Sequence, residues 1–139
     1  MKVKFKKLYP DAKAPYQATI GSAGWDLFAV SKEQIDDHHT RFDTGIAVEI
    51  PQGHVGLLFP RSSCYKHGML LSNCVGVLDA DFRGSIGAVF IGTHKEQCYN
   101  VGDRICQLIV MPIPEVEFVE VDELSETERG AGGYGSTGK

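Results

Sequence analysis

Several features that mark special classes of protein are missing from this chain. No apolar run reaches the ~18 residues needed for a membrane-spanning helix. Four cysteines, Cys64, Cys74, Cys98 and Cys106, are scattered without a Cys-x-x-Cys pair. That spacing speaks against a disulfide framework or a zinc site, and a reducing cytoplasm is the expected location. No Gly-x-Ser-x-Gly occurs, and Cys64 and His67 lack an evident charged partner, so nucleophilic catalysis is not expected. Positive charge is also short. The formal net charge is -4, which argues against stable binding to nucleic acid or to an anionic membrane. There is no internal repeat, and no amphipathic helix exceeds about three turns. The best helical candidate, Lys66 to Leu71, is brief.

Length and composition describe an ordinary globular domain. The chain has 139 residues, 42% of them hydrophobic and 23% charged, which suits a single domain. Met1 to Lys7 alternates lysines with apolar residues and lacks the continuous apolar core of a secretory signal, so it reads as a first strand. Further strands are expected at Trp25–Val30, Arg41–Thr44, Ile46–Ile50, Val55–Phe59, Met69–Ser72, Ile86–Ile91, Gln97–Tyr99, Ile105–Met111 and Val116–Val121. Asp36-Asp-His-His39 reads as a turn. Many short strands punctuated by Gly, Pro, Asn and Asp predict an all-β sandwich or barrel.

One stretch organises the rest: Asn73-Cys-Val-Gly-Val-Leu-Asp-Ala-Asp-Phe-Arg-Gly-Ser-Ile86. Asp79 and Asp81 are two residues apart in an otherwise apolar setting, bracketed by Gly76 and Gly84. In an extended chain both carboxylates would face the same way. Acids are costly to bury unless paired or used. The residues alone leave open a catalytic pair or an acidic turn.

Composition shifts after Pro114. Glu115 to Glu128 holds seven acids and no base. Arg129-Gly-Ala-Gly-Gly-Tyr-Gly-Ser-Thr-Gly138 follows, with five glycines in ten residues. This divides the chain into a β domain, 1–128, and a flexible glycine-rich C-terminal arm, 129–139. The arm matches Gly-x-Gly-x-x-Gly, but the chain ends too soon for a dinucleotide fold, and a Walker A loop would require a lysine before Ser136. Phosphate chemistry remains. Glycines let backbone N–H groups approach an anion, Ser136 and Thr137 add hydroxyls, and Arg129 offers a bidentate fork.

Of the five arginines, Arg61, Arg83, Arg104 and Arg129 sit in turn-like sequences; Arg41 does not. Localised arginines in an acidic chain suit a small polyanion. Pro60-Arg-Ser-Ser63 ends a strand with two hydroxyls, and Gln107 is the odd polar residue in the apolar run after Gly102-Asp-Arg104.

In this order the segments resemble the five motifs of the homotrimeric dUTPase family: Ala23-Gly-Trp-Asp-Leu-Phe-Ala29, Pro60-Arg-Ser-Ser63, Gly76 to Gly84, Gly102-Asp-Arg-Ile-Cys-Gln-Leu-Ile109 and Arg129 to Gly138. The resemblance implies a distorted β jelly roll, barrel or sandwich, assembled as a homotrimer. Each of three active sites would draw on all three subunits, with one C-terminal arm closing over another subunit. The implied reaction is dUTP plus water to dUMP plus pyrophosphate. It would limit uracil incorporation into DNA and supply dUMP for thymidylate synthesis.

The resemblance also implies roles. Asp79 would be the general base activating water for attack at the α-phosphorus. Arg61, Ser62 and Ser63 would cradle phosphate, with Ser62 donating toward the α/β oxygens, and Gln107 would bind phosphate. Asn73, Cys74, Val75 and Gly76 would form a strand pair that reads uracil through backbone groups. Phe82 would pack on deoxyribose and exclude a 2′-hydroxyl. Arg129, Ser136 and Thr137 would hold the γ-phosphate, within the arm's Gly132, Gly133 and Gly135, while Tyr134 stacks on uracil. Mg2+ would be held mainly by the triphosphate, with Asp26 contacting its water shell. Arg83 and Arg104 could serve scaffold or ligand. Trp25, Phe82 and Tyr134 stand where the family often has Tyr, Tyr and Phe, and Gly92-Thr93 where Asn is common. A dCTP deaminase-like enzyme and a nucleotide-sensing signalling protein on the same fold are the alternatives.

Overall fold

The computed structural model describes residues 1–92 and 98–135. Among the described residues, ten strands and one short 3-10 helix form in chain order. They are β1 (Lys4–Lys7), β2 (Trp25–Phe28), β3 (Ser31–Gln34), β4 (His39–Asp43), β5 (Ile46–Glu49) and β6 (His54–Pro60). The 3-10 helix Ser62–His67 follows, then β7 (Met69–Leu71), β8 (Gly76–Leu78), β9 (Gly87–Gly92) and β10 (Arg104–Pro112). Two four-stranded sheets, ordered β2-β10-β6-β8 and β3-β4-β9-β7, are joined by a two-stranded sheet of β1 and β5. The result is a jelly-roll-like sandwich, and among the described residues the sheets do not close into a barrel.

Alternation explains the sandwich. In β4, Thr40 and Phe42 are buried while Arg41 is exposed. In β9, Ala88 and Phe90 turn inward. These inner faces meet Leu27, Leu58, Leu78, Ile105 and Leu108 of the other sheet in one core cluster. Tyr99 sits at its centre, edge-on to Phe42 at 6.3 Å and Phe90 at 5.6 Å. Full burial of one such apolar side chain is worth roughly 1.5–3 kcal/mol.

The structure departs from the sequence reading in several places. Ser31–Gln34 is a strand although all four residues are exposed and polar; its pairing with β4 is a backbone affair that needs no apolar face. The helical turn lies at Ser62–His67, not Lys66–Leu71, and stops at Gly68, whose φ of 55° is left-handed. Val116–Val121 forms no strand, and its apolar side chains, including Phe118 at 96% exposure, have nothing to alternate against. Finally, Asn73–Gly76 is no strand pair. β7 pairs with β9, and β8 pairs with β6, so Ser72–Val75 is the turn by which the chain leaves one sheet for the other. Of the expected strand Gln97–Tyr99, Gln97 lies outside the described residues, as does Thr93, and Cys98 and Tyr99 are not in a strand.

Candidate active site

That crossing creates a cavity. Because β8 and β9 follow one another in sequence yet join different sheets, a gap of about 420 Å³ opens between their ends. Asn73, Gly76, Asp79, Phe82 and Ser85 contribute to its walls, with Leu58 and Val89. Cys74 adopts a left-handed φ of 60°, a conformation that costs a non-glycine residue roughly 1–3 kcal/mol. Its amide is held by the Leu71 carbonyl at 3.0 Å, and the Ser72 amide by Val89 at 2.9 Å. Cys74 itself is exposed and Val75 half-buried; neither side chain lines the cavity.

The carboxylates are arranged differently from the extended-chain expectation. β8 ends at Leu78, and the Phe82 amide donates to the Asp79 carbonyl at 3.1 Å. Asp79 therefore starts a turn, and only Asp79 of the two acids lines the cavity. Arg83 braces this turn by donating to the carbonyls of Ala80 at 2.7 Å and Phe82 at 2.9 Å. Gly84 has a steric reason: a Cβ there would lie 2.7 Å from the Phe82 ring. Ser85, not expected from the sequence, hydrogen-bonds the Asp43 carboxylate, which also accepts from the Gly45 amide.

A second cluster forms on the β2-β10-β6 ladder. The register shifts between Arg104 and Cys106, a bulge at Ile105. In a regular strand residues three apart face opposite ways; the extra residue resets the alternation. Ile105 and Cys106 are thus both buried, while Arg104 and Gln107 both stay half-buried on the outer side. Gln107 stands opposite Asp26 in register, and its Nε2 donates to the Pro60 carbonyl at 3.0 Å.

Asp26 is the centre of this cluster. It is only 8% exposed. Arg61 Nε donates to one carboxylate oxygen at 2.9 Å and Arg104 Nη1 to the other at 3.1 Å. Its backbone pairs with Tyr16 in both directions, and the Arg104 guanidinium lies 5.8 Å from the Tyr16 ring centre. A buried carboxylate with two guanidiniums holds those cations in place, and removing one partner of such a group costs about 3–5 kcal/mol. Arg61 Nη1 also reaches Ser63 Oγ at 3.4 Å. Ser62 is exposed at the start of the 3-10 helix. The cluster joins Arg61, Ser63, Arg104 and Gln107 into a polar, cationic surface suited to phosphate. The anchoring of Arg61 and Arg104 by Asp26 was not legible in sequence, since the partners are 35 and 78 residues away.

The arm's described residues join neither place. Arg129 donates to the Gly132 carbonyl at 2.9 Å, Tyr134 is exposed with φ of 50°, and Gly135 has φ of 87°. Gly133 is exposed and Gly132 half-buried. Ser136 and Thr137 lie outside the described residues.

Among the described residues no group of three or more His, Cys, Asp or Glu side chains could hold a metal ion. Both Asp26 oxygens face guanidiniums, so any approach to a cation there would run through water. This donor set fits a divalent ion carried by a ligand's phosphates, which keeps several waters, better than a protein cage.

Comparison with known proteins agrees with the geometry. The dUTPase family profile matches residues 10–138. The deoxyuridine 5'-triphosphate nucleotidohydrolase of Hydrogenobaculum sp. is 42% identical, covering 99% of both chains. That of Nautilia profundicola is 40% identical over 100% of both. The solved dUTPase of Staphylococcus bacteriophage 80alpha with dUpNHpp superposes with a TM-score of 0.86 at 27% identity, covering 99% of each chain. A profile spanning nearly the whole chain, and relatives this similar from end to end, place the chain in the dUTPase family.

Proposed function

We propose that this chain hydrolyses dUTP to dUMP and pyrophosphate, with the β8–β9 cavity as the nucleoside pocket. The observation that carries the reading is that cavity: Asn73, Gly76, Asp79 and Phe82 line one space of about 420 Å³. The Ser72–Val75 turn would read uracil through the backbone groups that its own bonds (the Ser72, Cys74 and Val75 amides to the Val89, Leu71 and Asn73 carbonyls) leave open. Buried hydrogen-bond mismatches reject a wrong ligand by ~10⁴-fold or more, which is the basis for excluding cytosine; thymine would lack room for its methyl. Phe82 supplies a flat wall for deoxyribose and leaves no place for a 2′-hydroxyl.

Asp79, at the cavity wall, is the general base. It takes a proton from water as the oxygen attacks the α-phosphorus and pyrophosphate departs. A positioned base contributes ~10²–10⁴-fold. Arg61, Ser62, Ser63 and Gln107 bind the triphosphate, and Ser62 donates to oxygens where charge grows. One preorganised donor of that kind is worth roughly 3 kcal/mol. Arg129, Ser136 and Thr137 grip the γ-phosphate, and Tyr134 stacks on uracil. Mg2+ bound to the triphosphate would neutralise phosphate charge, with Asp26 meeting its water shell.

The assembly is a homotrimer in this reading. In support, the cavity lining and the Asp26 cluster share no residue, as suits a site completed between subunits. The exposed Phe118, Val119 and Leu124 also suit a segment that packs on a neighbour. The test is pyrophosphate release from separate dUTP, dCTP, dTTP and UTP incubations, with and without Mg2+. Mg2+-dependent release from dUTP alone is expected. Conversion of dCTP, or indifference to the base, would refute the assignment.

A further inference from the structure

Four polar residues line the β8–β9 cavity: Ser72, Asn73, Asp79 and Ser85. Ser72 and Asn73 belong to the crossing turn and Asp79 is the proposed base, which leaves Ser85 unassigned. Ser85 is fixed from two directions. The next residue, Ile86, is locked into the core. Its carbonyl accepts from Thr44 Oγ1 at 2.7 Å and from the Thr44 amide at 3.1 Å, and its amide donates to the Ile46 carbonyl at 2.8 Å. The Ser85 hydroxyl itself donates to Asp43 Oδ1, which also accepts from the Gly45 amide at 2.8 Å. A serine has one hydrogen to give, and a carboxylate only accepts. With that hydrogen committed to Asp43, Ser85 Oγ has only lone pairs left to offer a ligand. Phe82 shows which part of the cavity this is. Its ring folds back over Gly84, where an added Cβ would lie 2.7 Å away. Ser85 follows directly and so adjoins the Phe82 wall.

We propose that Ser85 accepts the 3′-hydroxyl of the deoxyribose and makes the pocket select a free 3′-hydroxyl, with Asp43 as the positioning residue that keeps Ser85 an acceptor. This rests on the reading of the cavity as the nucleoside pocket with Phe82 as its sugar wall. Apart from its phosphate, a 2′-deoxyuridine nucleotide carries two donors, uracil N3–H and the sugar 3′-hydroxyl. The first goes with the base to the crossing turn. The second goes with the sugar to Phe82, where Ser85 stands. A nucleotide without the 3′-oxygen leaves that acceptor desolvated and unpaired, which costs more than the bond itself contributes. Without the carboxylate behind it, the serine hydrogen is free to rotate into the cavity, and the selection weakens.

The test compares the Kd of dUMP with that of 2′,3′-dideoxyuridine monophosphate, by calorimetry on the full-length chain. Wild type prefers dUMP ~10-fold. Ser85→Ala binds dUMP ~10-fold more weakly and the dideoxy ligand as before, so the preference collapses. Ser85→Thr keeps the hydroxyl and keeps the preference. A merely structural serine would weaken both ligands alike and leave their ratio unchanged. Asp43→Ala lowers the ratio, and adding it to Ser85→Ala lowers the ratio no further. A preference that survives Ser85→Ala, as it would if Asp79 alone held the 3′-hydroxyl, overturns the proposal, as does a wild type with no preference. An unchanged ratio in Asp43→Ala strikes Asp43 from it. The hydrolase reading fails separately: wild type that binds dUMP with the expected ratio but leaves dUTP intact would refute hydrolysis and retain the role of Ser85.

Discussion

Gly24 and Gln107 are in close contact: a Cβ on Gly24 would lie 2.4 Å from the Gln107 amide oxygen and 3.1 Å from its Cβ. The absent side chain of one residue sets the pose of the other, which donates to the Pro60 carbonyl. Gly24→Ala is expected to fold, because the nearest atom is the free end of a flexible amide, and to displace Gln107 from the phosphate side. kcat/KM for dUTP should fall ~10-fold or more. A variant with a normal melting curve and normal kinetics would remove Gln107 from the binding set.

Asp79→Asn keeps size and hydrogen-bonding capacity while removing the proton acceptor. Binding of dUpNHpp should persist and kcat should drop ~10²–10⁴-fold. Near-normal turnover would mean that another group activates water.

Phe82→Ala opens the cavity where the sugar wall stands. Selection against UTP should relax, read as the ratio of kcat/KM for dUTP and UTP. The Gly84 backbone leaves no room for a bulkier side chain against the ring, so Gly84→Ala should shift the same ratio by tilting Phe82. If neither variant moves it, sugar discrimination resides elsewhere.

Ending the chain before Arg129 removes the arm without touching either sheet. The β domain should keep its Tm and its oligomeric state by light scattering, while efficient hydrolysis is lost. Unchanged kcat/KM would show that the arm is dispensable.

Asp36 gives a stability signature in pH. Its carboxylate accepts from the backbone N–H groups of His38 and His39 at 2.8 Å and from the His39 ring. The His38 amide, then the His39 side chain and amide, lower its pKa from 3.8 to about 2. A lowered folded-state pKa favours folding above pH 3.8, and that contribution is lost as pH falls through about 2. Asp36→Asn should therefore melt lower than wild type at pH 7, with the two Tm values converging between about pH 4 and pH 2. A difference independent of pH would assign the effect to packing.

Much of the fold was legible because burial imposes period two on strands such as β4 and β9. β3 was not, since its four polar side chains carry no pattern and only backbone pairing defines it. Val116–Val121 shows the reverse: strand-like residues with no strand partner among the described residues. In the site, residue types that suit phosphate or a nucleoside stood out singly. Their grouping did not, because the Asp26 anchors and the bulge at Ile105 depend on strand register.

The division between the cavity at Ser72–Val75 and the Asp26-centred network has a consequence for redesign. The cavity lining and the Asp26 network share no residue, so on the proposed reading base preference and triphosphate hold would rest on different groups. Substitutions in the crossing turn can retune which nucleobase enters while the arginine anchor stays as it is. Mutational drift at one module need not erode the other, so a library restricted to that turn would search nucleotide choice on a constant phosphate-binding background.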